Sequence, residues 1–272
     1  MLIARYDVGF GSNPVHYGEV EGDAIHELIG DLEIPHERNG EKYSLSERKD
    51  FDLLSPIEEA PMVICIGLNY RGHAAELKQP IPQYPIVFFK SLEAMIDPGD
   101  YIVCPKVVPV ETRVDYEAEL AVVIRRDCRD VKREDALRHV AGYTCANDVS
   151  ARDWQLKYGG GQWSRSKMFD NFLPLGPFFA TTESIPDPQK LQISTKLNGE
   201  IVQNSNTSDM IFPVAEIIEF LSMGTTLRGG TIILTGTPAG VGLSTGRFLK
   251  GGDKVSVTIE GIGTLQNDVV EG

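Results

Sequence analysis

Within the segment VDYEAEL, residues 114–120, Glu117 and Glu119 stand two apart. The run continues as LAVVI and reads as a β-strand, so the two side chains project from one face, close together. Carboxylates at that separation raise each other's pKa and are costly without a neutralising cation. A hard divalent ion held by oxygen ligands meets that need, given at least one further oxygen donor. On spacing alone, the solvent-facing edge of an amphipathic strand accounts for the pair equally well.

Four other segments hold groups that can do chemistry. In GLNYRGHAAE (67–76), His73 and Glu76 are three apart and share a face of a helical turn. A carboxylate beside an imidazole orients it and raises its basicity, as a general base requires; an exposed helical pair is the plainer reading. In CANDVSARDWQ (145–155), Asp148 is placed to be a third metal carboxylate or a helix N-cap. Arg152 and Gln155 follow on the same face if the segment is helical. In GGGQWSRSKMFDNFLPLGP (159–177), Lys167 enters an apolar stretch, where it can neutralise a substrate carboxylate or simply lie at the surface. Met168, Phe169, Phe172 and Trp154 suggest an apolar wall there, or plain core. In LTGTPAGVG (234–242), a strand ends in a glycine-rich loop with two threonines, whose N–H and hydroxyl groups can approach an anion closely. No helix is expected after it and no GxxxxGK[ST] occurs, so a nucleotide site is not indicated.

These groups need a scaffold, and the periodicity predicts a mainly β one. LIARYDV, HYGEVEG and DAIHELI read as strands, and the polar stretch 36–50 reads as loop. PIEEAP then reads as a linker, dividing a small N-terminal β domain (1–60) from a larger catalytic domain (61–272). β-Branched runs dominate from Met62 onward, and Asn198-Gly199 marks a type I′ hairpin turn. Helices are expected over 132–142 and 213–224, the second opened by Pro213 and closed by Gly224. Strands and helices do not alternate, so the fold class is α+β, mainly β, and not a doubly wound parallel sheet.

Composition narrows the partners. A chain of 272 residues with 42% hydrophobic and 24% charged residues suits a globular protein. Its net charge of −13 argues against nucleic acid, and no apolar run reaches the roughly 18 residues needed to span a membrane. Cys65, Cys104, Cys128 and Cys145 are scattered without metal-ligand spacing and read as buried free thiols. The N-terminus carries no secretory pattern, so a cytoplasmic location is expected, with a mitochondrial one also compatible with a processed chain.

In order, GLNYRGHAAE, PIVFFK, VDYEAELAVVI, ANDVSARDWQ, SKMFDNFLPLGP, LNGEIVQ, GGTIILTGTPAGVG and GDKVSVTIEGIGTL resemble the fumarylacetoacetate hydrolase family, over residues 62–269 nearly without a gap. The resemblance implies a mixed β-roll or barrel-like catalytic domain of that family's C-terminal type. It implies Mg²⁺ (or Mn²⁺ or Ca²⁺) on Glu117, Glu119 and Asp148, a catalytic His73–Glu76 dyad on a short lid, and a catalytic lysine, Lys167, that meets the substrate carboxylate and in an isomerase carries a proton. Polar substrate contacts would come from Arg152, Gln155 and Thr237, and the assembly would be a homodimer. The implied substrate is a small anionic 2-oxo acid, with carbon–carbon cleavage (acylpyruvate hydrolysis or oxaloacetate decarboxylation) placed first. Isomerisation or tautomerisation of an enolic or unsaturated 2-oxo dicarboxylate is the alternative.

Overall fold

The structure is a computed structural model and describes residues 1–9, 15–30, 37–47, 51–106 and 112–272. Five strands precede residue 60: β1 (Leu2–Asp7), β2 (His16–Glu21), β3 (Ala24–Ile29), β4 (Glu37–Ser44) and β5 (Asp52–Leu54). Next come β6 (Val63–Gly67), β7 (Ile86–Lys90), β8 (Met95–Ile96), β9 (Tyr101–Cys104), β10 (Val114–Asp115), β11 (Ala118–Ile124), β12 (Val140–Asn147) and β13 (Ser150–Ala151). Then follow β14 (Leu173–Thr181), β15 (Gln192–Leu197), β16 (Glu200–Asn206), β17 (Ile232–Leu234), β18 (Lys254–Ile259) and β19 (Gly263–Glu271). The α-helices are short: α1 (Arg71–Glu76), α2 (Ser164–Lys167), α3 (Val214–Ser222) and α4 (Gly242–Thr245).

The largest sheet runs β4-β3-β2-β1-β14-β12-β11-β17-β6-β7, with β5 on β1 and β8 on β14. A second sheet runs β16-β15-β18-β19-β9, and β10 pairs with β13. The fold is mainly β, as the sequence implied, but the large sheet does not close into a barrel: its path ends at β4 and β7. The N-terminal strands join the rest through β1, which registers Leu2 against Ala180 of β14.

β11 explains where the core lies. Leu120, Val122 and Ile124 face one apolar cluster, while Ala121 and Val123 face another. A strand buried on both faces reads as an unbroken apolar run, which is why ELAVVI lacks alternation. Glu119 shares the parity of Ala121 and Val123 and so points to the second cluster's side.

Several elements depart from the sequence reading. The stretch 36–50 contains β4, whose first six residues are exposed and show no alternation. Backbone pairing with β3, from Ala24↔Ser44 to Ile29↔Glu37, makes it a strand. Residues 132–142 do not form an α-helix: a 3₁₀ helix spans Arg133–His139, and β12 begins at Val140, paired with Ile124. Gly142 lets β12 pair with β14 on its other side, because a Cβ there would stand 2.4 Å from the Ala180 carbonyl oxygen of β14. A one-turn helix, α4, does follow the glycine-rich loop. Elsewhere the expectation matches: Asn198 and Gly199 both have positive φ between β15 and β16. α3 buries Val214, Ile217, Ile218 and Leu221, the spacing of one helical face. All four cysteines are free and buried. Among the described residues, no helix is long and apolar enough to cross a membrane.

Candidate metal centre and active site

The acidic strand is interrupted at the site. β10 ends at Asp115, β11 begins at Ala118, and Glu117 lies in the gap. Pairing of Ala118 with Asn147 sets the end of β11 beside the end of β12. Asp148, the next residue, donates its N–H to the Glu117 carbonyl at 2.9 Å, while the Asn147 side chain accepts the Glu117 N–H at 3.0 Å. Glu117, Glu119 and Asp148 thereby converge, each buried, with a ligand oxygen from each within 4.8 Å of the others. Asp148 caps no helix; it follows a strand, so the N-cap reading is replaced by this convergence.

Three buried cations surround the carboxylates. Lys167 Nζ lies 2.7 Å from Glu117 Oε2 and 2.7 Å from Asp148 Oδ2. Lys90 Nζ lies 2.7 Å from Asp148 Oδ1 and donates to the Val149 carbonyl at 3.1 Å. Arg152 reaches Asp115 Oδ2 and Glu117 Oε1, each at 2.7 Å, and donates to Gln155 Oε1 at 2.8 Å. Burial pushes Glu117 up, but Lys167 and Arg152 outweigh it and bring its carboxyl down to about 2. Burial works against the charge on Lys167 as well, yet Asp148 and Glu117 hold it above the usual lysine range. For Lys90 burial wins, and its pKa is lowered despite Asp148.

Glu119 differs from its neighbours. Its Oε2 accepts the Gly236 N–H at 2.6 Å, and among the described residues no ion pair reaches it. Burial, then Asp148 and Glu117, push its carboxyl well above the usual range. Four buried carboxylates (Asp115, Glu117, Glu119, Asp148) thus face three buried cations. An uncompensated charge in a dry site is expensive, so Glu119 takes a proton or a metal ion. Three converging carboxylates of hard oxygen character, one lacking a cation, suit a divalent ion such as Mg²⁺, Mn²⁺ or Ca²⁺.

The remaining groups assemble around this centre. α1 sets His73 Nδ1 3.2 Å from Glu76 Oε2, as the three-residue spacing predicted. The loop before α4 holds the dyad from behind: Gly240 N–H donates to Glu76 Oε1 at 3.0 Å. Gln203 donates to Thr237 Oγ1 and to the Pro238 carbonyl, each at 2.9 Å, and so fixes the loop that presents Thr237. The N–H groups opening α4 serve no external anion, because Gly242 and Leu243 donate to Asp115 at 2.6 and 2.8 Å.

His73, Glu117, Glu119, Arg152, Gln155, Lys167 and Thr237 all line one cavity of about 290 Å³. Asp148 and Glu76 lie just behind it, against Lys167 and His73. The apolar wall is not the one expected from Met168, Phe169, Phe172 and Trp154. Phe172 is core and Met168 is exposed, and the lining comes instead from residues such as Phe88, Leu156 and Trp163. Lys90, Asp115 and Gln203 went unrecognised in the sequence. Lys90 ends an apolar strand, where a lysine ordinarily marks the return to solvent, and only the packing shows it turned inward.

The chain belongs to the family defined by the fumarylacetoacetate (FAA) hydrolase C-terminal domain, which matches residues 62–270. It is 45% identical to oxaloacetate tautomerase FAHD2A, mitochondrial, of Bos taurus, over 82% of this chain and 71% of that one. Among solved structures, it superposes on 2-hydroxyhepta-2,4-diene-1,7-dioate isomerase from Mycobacterium marinum with TM-score 0.82 and 38% identity, covering 100% and 98% of the two chains. It also superposes on a fumarylacetoacetate hydrolase from Exiguobacterium antarcticum with TM-score 0.86 and 31% identity, covering both chains fully. The chain is therefore an enzyme of this family, and the relatives' names span tautomerase, isomerase and hydrolase.

Proposed function

We propose that this protein is a Mg²⁺-dependent enzyme that moves a proton at C3 of a small 2-oxo acid, interconverting its keto and enol forms. A divalent cation held by Glu117, Glu119 and Asp148 would supply polarisation of the substrate's 2-oxo carbonyl, which acidifies the adjacent carbon. The observation that carries the proton-transfer reading is His73, the imidazole that lines the same cavity as Glu117 and Glu119, with Asp148 just behind. Imidazole is the side chain suited to exchange protons near neutral pH. Glu76 accepts from His73 Nδ1, which leaves Nε2 as the basic nitrogen. His73 then takes a proton from C3 and returns it to the enol oxygen. Thr237, Arg152 and Gln155 orient the substrate's polar end, and Lys167 supplies positive charge beside its carboxylate. The 45% identity to an oxaloacetate tautomerase supports this reading over the carbon–carbon cleavage first expected.

Cleavage is the second reading, and the Gly240 contact favours it. A Glu76–His73 pair clamped from behind can hold and deprotonate a water that attacks a distal carbonyl. Incubating the Mg²⁺-loaded protein with oxaloacetate and with acetylpyruvate separates the two. Accelerated loss of enol absorbance without pyruvate establishes proton transfer, whereas pyruvate release establishes cleavage and sets the tautomerase reading aside.

A further inference from the structure

Asp115 is fully buried, and donors surround its carboxylate. Oδ1 accepts the N–H groups of Tyr116 at 2.8 Å and Gly242 at 2.6 Å. Oδ2 accepts the Leu243 N–H at 2.8 Å and the Arg152 Nε–H at 2.7 Å. These donors fill the roughly four acceptor positions a carboxylate offers, so the group is held in one orientation. Glycine at 242 makes the close approach possible, because a Cβ there would stand 2.6 Å from Oδ1. The donors other than Arg152 are backbone, which gives the arginine a rigid anchor.

The pairing of β10 with β13 explains why the two side chains meet. Val114 registers against Ala151 and Asp115 against Ser150, and the Arg152 N–H donates to the Arg113 carbonyl at 2.9 Å. Arg152 lines the catalytic cavity, whereas Asp115 does not. Asp115 holds its Nε, and Gln155 Oε1 accepts from Nη1 at 2.8 Å. Nη2 is buried and lies 2.7 Å from Glu117 Oε1 without an aligned hydrogen bond. A buried donor in that state is costly until an acceptor meets it, so Nη2 is the donor this arginine has left for a ligand oxygen. The guanidinium is planar, so fixing Nε and Nη1 also fixes where Nη2 stands.

We propose that Asp115 is a positioning residue, which touches no substrate and sets Arg152 to receive the substrate's carboxylate. This rests on the place of Arg152 in the reading above. A double-mutant cycle on oxalate binding tests it, by calorimetry at saturating Mg²⁺. Asp115→Asn keeps the side chain's shape but removes its charge and one acceptor from Arg152 and Leu243. It is expected to weaken oxalate at least about tenfold, the weight of one charge-assisted hydrogen bond, with the binding stoichiometry unchanged. Arg152→Met is expected to weaken oxalate at least as much. In the Arg152→Met background, Asp115→Asn is expected to cost less than about twofold, because the two residues act as one unit. Asp115→Ser removes the same charge without setting an amide against two donors, and gives the same readout if the Asn variant does not fold. A residue that serves only the fold would weaken oxalate equally in both backgrounds, or lower the stoichiometry and leave the affinity alone; either result would overturn the assignment. Oxalate weakened by Arg152→Met but not by the Asp115 variants would overturn it alone. Oxalate unmoved by Arg152→Met would overturn it together with the substrate contact of Arg152, and oxalate that fails to bind even the wild-type protein would sink the 2-oxo acid reading and the assignment with it.

Discussion

Lys90 and Asp148 form a salt bridge of 2.7 Å in which neither side chain has any exposure. Lys167 takes the other oxygen of Asp148 at the same distance, so one carboxylate is held between two buried ammonium groups. Lys90 does not itself line the cavity, and its contact orients Asp148 for whatever ion the three carboxylates hold.

Lys90→Met should therefore be costly to the fold. Removing one partner of a buried pair leaves an uncompensated charge and costs about 3–5 kcal/mol. Because Lys167 still reaches Asp148, the lower end, about 3 kcal/mol, is expected in urea denaturation of the metal-free protein. A change under about 1 kcal/mol would mean the pair carries little net energy.

Glu119→Gln should separate metal binding from stability. Glu119 is buried, lacks a cation partner and has a carboxyl pushed up by burial and by Asp148 and Glu117, so a neutral amide suits the metal-free site. Unchanged or higher melting temperature without metal is expected, together with loss of Mg²⁺ binding by at least about 100-fold, since losing a group that only supports a ligand already costs about 10–100-fold. Full metal occupancy in the variant would remove Glu119 from the ligand set.

The decline of stability with rising pH should be present without metal and absent with it. The raised Glu119 carboxyl contributes stability that is present below its unfolded pKa, about 4.3, and is lost as pH rises through its folded value. Glu117, lowered to about 2, acts oppositely: its contribution is present above about 4.3 and is lost as pH falls through about 2. Metal-free protein should therefore melt at lower temperature as pH rises through the Glu119 range, and saturating Mg²⁺ should abolish that decline. Binding of Mg²⁺ should also release a proton, seen as buffer-dependent heats in calorimetry. Melting curves in chelator and in Mg²⁺ that run parallel across pH would contradict the protonated Glu119.

His73→Ala should lower turnover by about 10²–10⁴-fold, the range for a lost general base, with Mg²⁺ affinity within a few-fold of wild type. Glu76→Gln should retain part of the rate, since it keeps the ring placed but weakens its basicity. Equal turnover in both variants and the wild type would show that the dyad takes no part in proton transfer.

Local chemistry in the sequence was enough to mark much of this protein. Glu117 and Glu119 still converge although Glu117 lies between β10 and β11, and the three-residue spacing of His73 and Glu76 survives folding because helix geometry acts over neighbours. The same holds for the Asn198-Gly199 turn and the apolar face of α3. Where long-range pairing overrides local preference, the reading failed. β4 exists because β3 pairs with it, and Val140–Gly142 is strand because β11 lies alongside.

Tertiary structure alone decided that Asp148 meets the glutamates across the β11–β12 pairing, and that Lys90 and Asp115 join them. It also decided which apolar side chains face the cavity. Charge balance in a buried site is a property of the whole cluster, assembled from strands far apart in the chain, and no spacing along one segment encodes it.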